Sequence, residues 1–158
     1  MTATGGEDGQ FLTSTKFFNL QYSSPNAGQT LTSLSIDLGS TGLFFNTNAR
    51  TGFPMRPGLT SDGVQVTSSV SGTGSTILTL TITGLQPGGF MQFGIGRAQR
   101  TTRQDGISAD LLDGAAVTAT LSGPSATIKG AFANKFGAGY APLDGYGLID
   151  AVKAIKAQ

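Results

Sequence analysis

ILTLTITGL, residues 77–85, alternates apolar and hydroxyl side chains, with Leu78, Leu80 and Ile82 on one side and Thr79, Thr81 and Thr83 on the other. A period of two is the mark of a half-buried strand, because successive side chains leave the backbone on opposite faces. Thr and Ile, branched at Cβ, favour that extended backbone. TLTSLSIDL, 30–38, repeats the pattern with Leu34, Ile36 and Leu38. Working outward, the same alternation sets Phe18, Leu20 and Tyr22; Val64 and Val66; Met91, Phe93 and Ile95; Val117, Ala119 and Leu121; and Ala126, Ile128 and Phe132 on common faces. Each run has one greasy and one wet face, as strands of antiparallel sheets do.

Between the runs stand SPNAG (24–28), GSTG (39–42), FPMRPG (53–58), SGTGS (71–75), LQPGG (85–89) and SGPS (122–125), which read as turns. Short strands at this spacing predict an all-β fold, an antiparallel β-sandwich of immunoglobulin-like or jelly-roll-like type. The pairs Phe17–Phe18 and Phe44–Phe45 each send one ring to the opposite face.

Composition agrees. Charged residues make up 12% of the 158, about half of the ~25% usual in soluble domains, and Ser, Thr and Gly take their place. A net charge of +1 provides no field to collect nucleic acid. No run of about 18 apolar residues offers a membrane span. MTATGGEDGQ, 1–10, has neither the basic start nor the apolar stretch of an export leader and reads as a flexible lead-in. The sandwich is expected over 11–134. From 135 to 158 a linker leads to a short amphipathic helix, where Leu148, Val152 and Ile155 recur at helical spacing. Asp144 near its start and Lys153 and Lys156 near its end suit the helix dipole.

The chain has no His and no Cys, which removes the Ser-His-Asp triad, the thiol nucleophile and thiolate zinc sites. Its one Glu is Glu7, in the lead-in, so a carboxylate pair for glycoside hydrolysis would fall to aspartates such as Asp37 and Asp62, both at turns. Ser125 precedes a strand rather than a helix and lacks the setting of an exposed nucleophile. In RQDGISADLLDG, 103–114, Asp105, Asp110 and Asp113 could supply oxygens to calcium, or serve as loop residues, since Asp-Gly is a common turn pair. GRAQRTTRQ, 96–104, sets Arg97, Arg100 and Arg103 at three-residue intervals. They would grip a carboxylate or phosphate on a partner, or simply keep a loop soluble. Tyr22, Tyr140 and Tyr146 are the only Tyr, and there is no Trp, which leaves few rings for stacking against sugars.

The segment GYGLIDAVKAI, 145–155, resembles the closing stretch of subtilisin-like serine protease domains, with Gly145, Gly147, Asp150 and Ala151 on the matching positions. SLSIDL (33–38), LTLTITGLQPGGFMQFGIG (78–96) and DGISADLLDGAAVTATLS (105–122) are similar to the β-sandwich accessory regions of bacterial exported proteases and surface proteins. Such relatives often carry an acidic residue after the Phe-Gly-Ile stretch, where this chain has Gly96 and Arg97. None of the three catalytic blocks of the protease family is present, so no catalytic residue carries over. The resemblance implies a non-catalytic accessory module of a secreted or cell-surface protease, with the parent protease domain or a cell-surface protein as partner. Low charge, abundant Thr and open sheet edges point alternatively to a structural or adhesive subunit of a surface assembly that oligomerises by strand addition. A carbohydrate-binding module is the third reading, and it requires a sheet face lined with rings.

Overall fold

The computed structural model describes residues 1–3, 18–24, 28–45, 56–72, 74–95, 97–99, 109–123 and 127–132. They form strands β1 (Thr2–Ala3), β2 (Phe18–Gln21), β3 (Leu31–Asp37), β4 (Leu43–Phe45), β5 (Arg56–Thr60), β6 (Gln65–Ser71), β7 (Ile77–Leu85), β8 (Phe90–Gly94), β9 (Arg97–Gln99), β10 (Ala116–Leu121) and β11 (Thr127–Ala131), with one 3-10 turn at Ala109–Leu112. Every pairing is antiparallel. One sheet has the order β11-β10-β3-β7-β6, a second β1-β2-β8-β5, and β4 pairs with β9. The fold is the expected all-β sandwich. Among the described residues no helix is long and apolar enough to cross a membrane, and the expected C-terminal helix lies outside them.

The apolar faces meet in one core. From the five-stranded sheet come Leu34, Ile36, Leu78, Leu80, Ile82, Val117 and Leu121, and from the four-stranded sheet Phe18, Leu20, Met91 and Phe93, all buried. Phe18 and Phe93 face each other across β2 and β8 with ring centroids 4.9 Å apart. Phe132 reaches the same cluster, 6.1 Å from Phe18. Its backbone is tied down by Gly114 N donating to Phe132 O at 2.8 Å and Phe132 N to Ala115 O at 2.9 Å. Burying a large apolar side chain contributes about 1.5–3 kcal/mol, so these rings and branched chains outweigh any single surface contact.

The short pair β4–β9 links the layers at one end. β4 follows β3 through the 39–42 turn, and Phe45 N donates to Ser75 O at 2.8 Å just ahead of β7, while β9 continues from β8. Phe45 is buried and Phe44 half-buried, the split expected of adjacent rings on a strand; Phe17 lies outside the described residues.

Two local expectations are corrected. Arg56, Pro57 and Gly58, read as part of a turn, begin strand β5. Proline is tolerated there because β5 is an edge strand with a register shift between Pro57 and Thr60. Thr2 and Ala3, read as lead-in, pair with Asn19 and Phe18, and Met1 is buried against the core; residues 4–10 lie outside the described residues.

Candidate functional site

The register of the five-stranded sheet lines up its outward side chains. Asn-poor and with few charges, the strands present mostly Ser and Thr where alternation turns a residue away from the core. Thr127 stands opposite Thr120, Thr120 opposite Ser33, Ser33 opposite Thr81, and Thr81 opposite Thr67. One step along, Lys129, Thr118, Ser35, Thr79 and Ser69 form a second row across all five strands. Neighbouring side chains within a row are about 4.8 Å apart and the rows about 6.7 Å apart, as strand spacing and rise dictate. Thr67, Ser69, Thr81, Thr120, Thr127 and Lys129 are exposed, and the central Ser33, Ser35, Thr79 and Thr118 are half-buried among their neighbours. The face is therefore a hydroxyl-lined surface with Lys129 as the one cation in the two rows. Each sheet strand is rotated from the next by roughly 20–25°, so the surface is saddle-shaped and matches a curved partner rather than a plane.

Bulges set the ends of this face. Thr32 interrupts the β3–β10 register, and its hydroxyl donates to Thr120 O at 3.0 Å. Beyond it, Ser122 N donates to Thr30 O and Thr30 N to Ser122 Oγ, both at 2.8 Å.

Of the proposed calcium set, Asp110 lies in the 3-10 turn and Asp113 is exposed just after it; Asp105 lies outside the described residues. The turn is anchored by Leu112, fully buried. Leu112 O accepts from Ala115 N at 2.9 Å, and Gly114 O accepts from Ser40 Oγ at 2.9 Å. The carbonyls on either side of Asp113 thus accept hydrogen bonds from Ala115 N and Ser40 Oγ, which fix the turn within itself and to the turn after β3. Among the described residues no three His, Cys, Asp or Glu come together as a metal-holding group.

Arg97 opens β9 opposite Phe45; Arg100 and Arg103 lie outside the described residues. Asp37 Oδ1 accepts from Gly39 N at 2.8 Å and closes the turn after β3, whereas Asp62 is exposed in the turn between β5 and β6. Tyr22 is buried with its hydroxyl donating to Gln29 O at 3.0 Å, which removes it as a stacking platform. Tyr140, Tyr146, Ser125 and the protease-like segment 145–155 lie outside the described residues. The hydroxyl rows were implicit in the alternation of ILTLTITGL and TLTSLSIDL, but only the strand order brings the separate runs into register.

Fold and face together define the class, an antiparallel β-sandwich with one hydroxyl-lined sheet surface. No family model, no curated protein and no solved structure matches this chain.

Proposed function

We propose that this chain is a non-catalytic accessory module of an exported subtilisin-like serine protease, which lays the hydroxyl face of its five-stranded sheet against the parent enzyme. The observation that supports this is the pair of rows across five strands, Ser or Thr at every place but Lys129. Short hydroxyl side chains lose little rotamer freedom when covered, and each can donate or accept a hydrogen bond. The Gly-Tyr-Gly-Leu-Ile-Asp-Ala stretch at 145–151 is what points to a protease as the parent.

The test begins with the reading frame around this segment, scanned for the Asp-Thr/Ser-Gly, His-Gly-Thr and Gly-Thr-Ser blocks. Where they occur, the catalytic domain made as a separate chain binds this module in calorimetry, and Thr81→Arg, at an exposed position of the face on β7, weakens the association at least about tenfold. A frame without those blocks discards the protease parent. Calcium at Asp105, Asp110 and Asp113 belongs to the same reading: a ligand that binds only the folded state raises Tm, and a Tm indifferent to millimolar calcium discards it.

A second reading, a structural or adhesive subunit of a surface assembly, is favoured by the state of one sheet edge.

A further inference from the structure

Sheet edges are templates for adding strands, and folded proteins blunt them with charge, proline, bulges or shortness. Among the described strands nearly every edge is blunted. β11 carries exposed Lys129; β5 carries Pro57 and a register shift; β1 spans two residues; β4 and β9 span three each. The exception is β6. Its seven residues, QVTSSVS, pair with β7 without interruption from Gln65↔Thr83 to Ser71↔Ile77, and they include no charge and no proline. Val66 and Val70 on its inner side are only partly buried against the core, at the margin where the sheet stops.

The sequence of β6 also says what fits there. Around Ser68 it is nearly palindromic: Val66 and Val70 flank it at two residues, Thr67 and Ser69 at one. Laid antiparallel against an identical strand about a two-fold axis at Ser68, Val66 falls opposite Val70, Thr67 opposite Ser69 and Gln65 opposite Ser71. Inward residues meet inward residues and outward meet outward, as the period of two demands. The valines finish covering each other at the open margin, and the two hydroxyl rows run on into the second copy. β11 treated the same way would set Lys129 against Lys129, and like charges directly opposite destabilise a pairing.

We propose that two copies of this chain join through β6, antiparallel about a two-fold axis at Ser68, so that their five-stranded sheets become one. The interface is isologous and closes on itself, and it leaves the lysine-bearing β11 edges outermost. The product is a dimer and not a fibre.

The experiment is sedimentation equilibrium of the full chain over a concentration series, with folding of each variant checked by circular dichroism. The unaltered chain is dimeric. Thr67→Lys with Ser69→Lys, both at exposed positions, places like charges opposite each other twice and raises the dissociation constant at least about tenfold. Thr67→Lys with Ser69→Glu places opposite charges there and keeps the dimer, a readout that general damage to β6 does not give. A monomeric unaltered chain overturns the proposal, and so does a dimer that the Lys/Lys variant leaves intact. The inference rests on the edge position and sequence of β6, so a monomer leaves the accessory-module reading untouched, whose readout is binding to the catalytic domain.

Discussion

Gly84 lies near the end of β7, where the register with β3 slips between Leu31↔Leu85 and Ser33↔Thr81. Its φ is +84°, a backbone region that costs residues with a Cβ about 1–2 kcal/mol. A Cβ placed there would stand 2.5 Å from Gly63 O and 3.2 Å from Gly63 C, backbone atoms that cannot rotate aside. Forcing such a contact adds about 1–3 kcal/mol. Gly84→Ala is therefore expected to lose roughly 2–5 kcal/mol. Gly88 separates the two terms: its φ is +87° and nothing lies within 4 Å of its would-be Cβ, so Gly88→Ala carries the strain alone, about 1–2 kcal/mol. Any effect of alanine on the unfolded chain is common to both. Urea and thermal unfolding of both variants measures the difference, with each kcal/mol worth about 4 °C of Tm in a domain of this size. Equal losses at the two positions would refute the reasoning, because the contact with Gly63 would then cost nothing.

Phe93→Ala removes a fully buried ring stacked on Phe18 and is expected to cost about 3–5 kcal/mol; a loss below about 1 kcal/mol in urea unfolding contradicts the described core. Tyr22→Phe deletes the donor to Gln29 O and costs about 1 kcal/mol, read as a shift in the unfolding midpoint at constant slope. Gln92 Oε1 is buried with no hydrogen-bond partner, and removing an unsatisfied acceptor relieves about 1–3 kcal/mol of desolvation. Gln92→Met is accordingly at least as stable as the original, and a clear drop in Tm would show that the amide is engaged after all.

Much of the sandwich was legible because alternation is a local signal. Phe18, Leu20, Tyr22, Leu34, Ile36, Leu38, Leu78, Leu80, Ile82, Met91, Phe93, Ile95, Val117, Leu121 and Phe132 are buried as their positions in the runs required. What escaped was short or irregular. β5 hides behind a proline and a glycine that normally mark turns, β4 and β9 are too brief to show a period, and β1 is two residues whose pairing depends on β2. The buried Leu112 belongs to a 3-10 turn, which has no strand-like period to betray it. The hydroxyl face escaped for a different reason. Each Thr and Ser was visible as a polar alternate, but rows across five strands exist only once distant segments are ordered side by side. Of the charged sets singled out in the sequence, Asp110 and Asp113 share the 3-10 turn and its exit and Arg97 opens β9, while Asp105, Arg100 and Arg103 lie outside the described residues.

β3 sits between β7 and β10, and its partners on one side, such as Val117 against Ile36, come from far along the chain. Pairings of that sequence separation bring a high loop-closure cost and slow assembly. During synthesis β3 and β7 can meet early, yet one flank of β3 stays bare until β10 has been made. A chain stopped short of residue 116 would expose a strand edge and the apolar side of Ile36 together, the combination that invites aggregation. The sandwich thus completes itself only once β10 has been made, and its most central strand is among the last to be sealed.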